Sequence, residues 1–134
     1  MDIYKAAGII IKNRKLLIER SENRTMFVAP GGSIEDGETP EKTLVRELQE
    51  EFGIITNEVD LDHFGHFHAK AAGEEDKTVH MNVFVVNKWV GEPKPNAEVK
   101  EILWVTSKLP KDITVGSIFE HEVIPRLKSK GLID

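Results

Sequence analysis

Between Gly32 and Ile54 the chain reads GSIEDGETPEKTLVRELQEEFGI, a run with few ways to fold. Thr39 can cap a helix by accepting a hydrogen bond from its first turn. Pro40 suits the first helical position because it has no N–H to leave unpaired. Glu38 and Glu41 lie where the positive end of a helix dipole favours acid. Good helix formers follow, and Gly53 can adopt the left-handed conformation that ends a helix. Leu44, Val45, Leu48 and Phe52 recur at spacings of three and four, so they form one apolar face that packs inward. Glu47, Glu50 and Glu51 fall on a different face. Like charges at these spacings repel and weaken an isolated helix. A cation held between them would turn that cost into a coordination shell.

Such a cation should be hard. The chain has no cysteine, which removes thiolate sites for zinc or copper. Clustered carboxylates with water and phosphate suit Mg²⁺, with Mn²⁺ as a substitute. Arg46 stands four residues before Glu50 and can hold one of the carboxylates by paired hydrogen bonds. Gly31 and Gly32 let the backbone approach a metal or phosphate closely. A run of acid on a helix is usually just a solvated face. The conjunction with Arg46, both glycines and the spacing is what points to chemistry.

The segment resembles the Nudix box, G-x5-E-x7-R-E-U-x-E-E-x-G-U with U aliphatic. Gly32, Glu38, Arg46, Glu47, Glu50, Glu51 and Gly53 fill the fixed places, and Leu48 and Ile54 the aliphatic ones. Ala29-Pro30-Gly31-Gly32 resembles the usual approach to that box. The resemblance implies an α/β/α sandwich and Mg²⁺-dependent hydrolysis of a nucleoside diphosphate linked to another group. It implies Glu50 and Glu51 as metal ligands, Glu47 as ligand or general base, and the Gly31 or Gly32 carbonyl to complete the shell. Family members differ in where the base lies, and some use a loop glutamate outside the box. Glu98 and Glu101 are the candidates here, so Glu47, Arg46 and Glu98 form the expected catalytic set. Glu38 is expected to support the turn or the helix start. A nucleotide-sensing domain without turnover is the alternative of another class, against which the intact box argues.

Composition agrees with a small soluble enzyme. A chain of 134 residues fits one domain, 1–134, with 40% hydrophobic residues for a core and 31% charged residues to wet its surface. No apolar run approaches the length of a membrane span. Met1 to Lys5 lacks the pattern of a signal peptide, and the missing cysteines suit a reducing cytoplasm. The net charge of −5 disfavours a long nucleic acid as partner. A small nucleotide is the expected partner, and the resemblance also allows a homodimer.

The remaining segments supply a sheet. Ala6 to Ile11 and Lys15 to Arg20 read as a hairpin about Asn13-Arg14. Met26 to Ala29 reads as a short strand. Asp62 to Ala69 and Thr78 to Lys88 read as strands joined by the polar loop from Ala72 to Lys77. Gly91 to Asn96 is a loop, and Ile102 to Val105 a last strand. Ser117 to Glu120 reads as a capping box opening a C-terminal helix, which Pro125 should kink or mark with an irregular turn. This mixed order fits an α/β class, with a mixed sheet between the box helix and the C-terminal helix.

Outside the box, Arg20 and Arg24 can grip phosphates, and Phe27, Trp89 and Trp104 can stack on a base, although most aromatics are core. With Gly31 and Gly32, Arg20 and Phe27 form the expected substrate-binding set. His63, His66, His68 and His80 are expected to be partly buried or to line a pocket. By resemblance, ADP-ribose hydrolases carry a proline, and diadenosine polyphosphate hydrolases a tyrosine, in the region that reads Phe67 to Ala72 here and has neither. Leu16 to Ser21 echoes only part of a coenzyme A hydrolase signature. A MutT-type enzyme, cleaving (d)NTPs to NMP and pyrophosphate, remains, with an ADP-ribose or other nucleotide-sugar pyrophosphatase as the alternative.

Overall fold

A computed structural model describes residues 1–71 and 73–134. The chain runs β1 (Asp2–Ile9), β2 (Ile11–Lys12), β3 (Lys15–Ser21), β4 (Met26–Phe27), β5 (Gly31–Ser33) and α1 (Pro40–Phe52). A single 3₁₀ turn (Glu58–Asp60) leads into β6 (Leu61–Ala71), β7 (Glu74–Val86), β8 (Val99–Val105) and β9 (Thr114–Val115). A π-helical stretch (Phe119–Val123) continues directly into α2 (Ile124–Ser129).

The strands form a mixed sheet in the order β5-β1-β7-β6, an antiparallel sheet β2-β3-β8 and a short pair β4-β9. In the mixed sheet β1 and β7 run parallel from Asp2↔Thr78 to Ile9↔Val85, and the outer strands are antiparallel to them. Side chains alternate across β1, so the sheet has two packed faces. Ala6, Phe84 and Val86 meet Leu44, Leu48 and Phe52 of α1 on one face. Ala7, Ile9 and Val83 meet Phe119, Val123 and Leu127 on the other. The result is the expected helix–sheet–helix layering. Gly8 lets α1 sit close, since a Cβ there would lie 3.3 Å from Leu44 Cδ1. Burying a Leu or Phe side chain stabilises by about 1.5–3 kcal/mol. A like-charge pair on a helix costs only about 0.2–0.5 kcal/mol. The apolar face of α1 therefore outweighs the repulsion of its acid face.

Several expectations change in detail. Asn13 (φ 53°) and Arg14 (φ 62°) form the tight turn, but only Ile11–Lys12 pairs with β3 across it. The longer preceding strand, β1, pairs with β7 instead, and the chain crosses between sheets at the fully buried Ile10. The polar stretch Glu74–Lys77 is not loop but the first part of β7, because it continues the pairing with β6. Ala72, assigned to the same loop, lies outside the described residues. The C-terminal helix starts where expected, yet the Glu120 N–H bonds the Gly116 carbonyl and no side-chain cap forms. Pro125 acts as foreseen. It offers no N–H, and just upstream the Ile124 N–H reaches back five residues to the Phe119 carbonyl, the signature of the π turn.

Candidate active site

The helix is built as its sequence requires. Thr39 Oγ1 accepts from the Lys42 N–H at 3.2 Å, Pro40 opens the first turn, and Gly53 closes the last at φ 70°. The acid face is then graded by depth. Glu51 is 5% exposed, Glu47 is half-buried and Glu50 faces solvent.

Two glycines bring the strand against this face. Gly31 has φ 142°, where only glycine is comfortable, and a Cβ on it would lie 2.0 Å from the Ala6 carbonyl oxygen. Its N–H donates to Glu51 Oε1 at 3.2 Å. Gly32 is open for a different reason: a Cβ there would sit 2.6 Å from Glu47 Cδ and 2.7 Å from its Oε1. β5 is thus held on β1 and presents bare backbone to two carboxylates.

Arg46 organises the neighbouring edge. Its Nε and Nη2 bond Glu38 Oε2 and Oε1 at 2.8 and 2.9 Å, a two-point fork. Nη1 donates to Glu47 Oε1 at 2.8 Å and reaches Glu50 Oε2 at 3.4 Å. The paired bonds expected toward the metal carboxylates therefore go to Glu38. Glu38 Oε1 also accepts from Thr43 Oγ1 at 2.7 Å and the Glu35 N–H at 3.1 Å. These bonds, those of Arg46 foremost, pull the Glu38 carboxyl down to about 2. Burial raises the Glu47 carboxyl above its ordinary range, opposed by Arg46.

Beneath Glu51 lies a residue that the motif does not include. Glu19 on β3 is 2% exposed, its backbone N–H and carbonyl both tied to Val28 at 2.9 and 2.8 Å. Burial pushes Glu51 up to about 9, helped by the charges of Glu19 and Glu47. Burial pushes Glu19 up to about 7, offset in part by a hydrogen bond shared with Glu51. Sequence reasoning missed this pair, although a signal was there. Glu19 directly follows Leu16-Leu17-Ile18, an apolar run that marks a buried strand.

The other expected residues fall in three places. Glu98 is exposed in the loop before β8, near enough for its charge to raise both Glu47 and Glu19. That loop is tied to the end of α1 by the Asn96 N–H to the Glu51 carbonyl at 2.9 Å. Glu101 instead pairs with Arg20 Nε at 2.7 Å, and Arg20 Nη1 bonds the Arg24 carbonyl. Arg20 is thereby turned to a separate shallow hollow with Phe27 and Asp112. Phe27 is 4% exposed and packs largely into the core. The structure thus brings Arg20 and Phe27 together at that hollow, Arg20 paired with Glu101. His80 is half-buried, stacks on Tyr4 with ring centroids 4.8 Å apart and lines a hollow with His68 as expected, whereas His63 and His66 stand exposed on the sheet.

The chemistry of these donors fits a hard divalent cation. Three carboxylates and a backbone carbonyl in a glycine cradle are oxygen ligands, and Glu19 Oε2 beneath them is buried without a hydrogen-bond partner. Among the described residues no three acidic or histidine side chains are already gathered as a cage. Glu47 and Glu50 are turned onto Arg46, and Glu51 onto Gly31. Beside the glycine approach, a cavity of about 370 Å³ opens between Lys5, Val28, Ala29, Met81, Ser117 and Phe119. That volume lies in the range of small-molecule sites. Among the described residues no helix is long and apolar enough to cross a membrane.

Known proteins resemble this chain in sequence and fold. The NUDIX domain family matches residues 3–127. The 8-oxo-dGTP diphosphatase of Haemophilus influenzae is 38% identical over 108 residues, covering 77% of this chain and 75% of that protein. The ADP-ribose pyrophosphatase of Methanocaldococcus jannaschii is 32% identical over 123 residues, covering 87% of this chain and 67% of that one. In three dimensions the MutT protein of Methanosarcina mazei superposes with a TM-score of 0.75 at 22% identity, covering 97% of this chain and 95% of its own.

Proposed function

Because the chain belongs to the Nudix hydrolase family, we propose that it cleaves a nucleoside triphosphate in the MutT manner, releasing NMP and pyrophosphate. The observation that carries this is the glycine cradle. Gly31 bonds Glu51 and Gly32 admits Glu47, so backbone and carboxylates converge where a phosphate chain and its cation must meet. Glu47, Glu50, Glu51 and the Gly32 carbonyl would hold Mg²⁺, or Mn²⁺ in its place. The ion, when bound, neutralises phosphate oxygens and lowers the pKa of a bound water.

The chain's own groups do the rest. Glu47 is half-buried and burial raises its carboxyl, the direction that makes a carboxylate a stronger base. Glu98 is the second candidate, with a free carboxylate facing the same cluster. Arg46 holds Glu47 by Oε1, so it positions that carboxylate. The cavity beside Ala29 is walled by Val28, Met81 and Phe119 and rimmed by Lys5 and Ser117. It would take the base, with Lys5 at the phosphate side.

Support for the triphosphate comes from the 8-oxo-dGTP diphosphatase at 38% identity. The ADP-ribose pyrophosphatase at 32% favours the second reading, a nucleotide-sugar substrate cleaved by the same site. A product-resolved panel with Mg²⁺ decides between them, using (d)NTPs, 8-oxo-dGTP, ADP-ribose and dinucleoside polyphosphates. NMP with pyrophosphate from a triphosphate supports the first reading. AMP with ribose 5-phosphate as the dominant product overturns it in favour of the second.

A further inference from the structure

We propose that Glu19 is an additional carboxylate of the cation site, binding a divalent cation jointly with Glu51 from the strand side. The inference rests on the metal reading above and extends the site beyond the helix that carries its other acids.

Placement is the first argument. β3 is a core strand, with Leu16, Leu17 and Ile18 at 0% exposure, and Glu19 at 2% follows them into the interior. A carboxylate there is expensive unless its charge is met. Arg20, next along the strand, points elsewhere and is taken by Glu101. Among the described residues Glu19 enters no ion pair. Its one neutral donor is Ser21 Oγ, at a long 3.5 Å from Oε1. Oε2 has no hydrogen-bond partner.

What surrounds Glu19 is acid. Glu51 of α1 lies close enough for the two carboxyls to shift each other's charge, and the charges of Glu47 and of Glu98 act on Glu19 from the helix and the loop. Two carboxylates this close need a positive particle between them, either a proton or a cation. Elsewhere in the cluster cation and proton donors are supplied: Arg46 serves Glu47 and Glu50, and the Gly31 N–H serves Glu51. Among the described residues Glu19 has no cation and only the long contact from Ser21. Its backbone is clamped to Val28, three residues before Gly31, and the residue is 2% exposed, so the carboxylate is held in the interior near the glycine turn rather than free in solvent. A buried, rigidly placed, unpartnered carboxylate aimed at an expected ligand is itself suited to be a ligand.

The test is Mn²⁺ binding, followed by the loss of the free-ion EPR signal, in wild type, Glu19→Gln and Glu19→Asp. Glu19→Gln keeps the shape and removes the charge, and is expected to weaken a Mn²⁺ site at least about tenfold. Glu19→Asp keeps the charge and should bind more tightly than Glu19→Gln. In parallel, Mn²⁺ should broaden the Glu19 side-chain carboxyl ¹³C signal of wild type as strongly as that of Glu51, a readout that needs no variant to fold. Wild-type affinity and stoichiometry in Glu19→Gln, or a Glu19 carboxyl left sharp beside a broadened Glu51, would overturn the proposal while leaving the metal site standing. Failure of the wild-type protein to bind Mn²⁺ would overturn both. Raised thermal stability of metal-free Glu19→Gln with unchanged Mn²⁺ affinity would make Glu19 a proton-sharing structural group and likewise overturn it.

Discussion

Glu38 and Glu19 are both carboxylates beside the same acidic helix and have opposite fates. Glu38 meets Arg46 with both oxygens, adds Thr43 and a backbone N–H, and is driven down to about 2. Glu19 meets another carboxylate, keeps one oxygen unpartnered and is driven up to about 7. One carboxylate is finished by the protein alone, and the other is not. The glycines show the same division, since Gly31 makes room for backbone and Gly32 for a side chain. A group whose partners all come from the chain is scaffold. A group that the chain leaves incomplete is where something else binds.

The largest effect should come from the scaffold. Gly31→Ala forces a Cβ to within 2.0 Å of the Ala6 carbonyl oxygen at φ 142°. Backbone cannot step aside cheaply, so a loss of about 3–5 kcal/mol is expected by urea unfolding. A near-normal unfolding midpoint would show that β5 is not held as described.

Next is Glu51→Gln. Removing a ligand should cost at least about 10²-fold in turnover, more than the loss of an outer partner usually does. The metal-free variant should unfold at a higher temperature than wild type, because the repulsion with Glu19 is gone. Turnover within a few-fold of wild type on a good substrate would remove Glu51 from the site.

Gly32→Ala separates the glycines. Its Cβ meets the flexible end of Glu47 at 2.6 Å, which can move. Stability should change by less than about 1 kcal/mol, whereas displacing Glu47 should cost about 10–100-fold in turnover. Equal losses of stability in Gly31→Ala and Gly32→Ala would erase the distinction.

How much of this was readable beforehand follows the same line. The caps of α1, its apolar face and the match to the box all rest on contacts within a few residues, and those were visible in the order of residues. Pro125 likewise disturbed the last helix because its missing N–H is a local fact. Glu19 was not visible as a site residue, since what makes it one is contact with Glu51 across the fold. The surroundings of Arg20 and Phe27 were hidden for the matching reason. Their partners, Glu101 on β8 and the core around Val115, are brought in by strand pairing that no short spacing encodes. The pairing of β1 with β7 rather than with its neighbour in sequence is another such case.

The pH dependence of the metal-free protein offers a smaller contrast. Glu51 and Glu19 have folded-state pKa values above the ordinary 4.5, so the folded state holds more protons than the unfolded chain. Their contribution is complete below about 4.5 and is lost as pH rises through 7 toward 9. In EDTA the melting temperature should therefore fall across that window, and Mg²⁺ should restore it. A melting temperature flat over the window would break the assignment of a buried, uncompensated pair.

The smallest effect belongs to the finished side. Arg46→Lys keeps a positive charge but cannot make the two-point fork to Glu38. Glu38 then moves back toward an ordinary carboxylate. Because its folded value is depressed to about 2, its contribution is present above the ordinary 4.5 and is lost as pH falls toward 2. In the variant part of that contribution is missing above 4.5, so stability should fall modestly near neutral pH and decline less steeply between about 4.5 and 2 than in wild type. Turnover should drop by less than about tenfold, through a looser Glu47 rather than a missing one. A fall as large as that of Glu51→Gln would mean that Arg46 touches substrate, and the clamp would have to be counted among the unfinished groups.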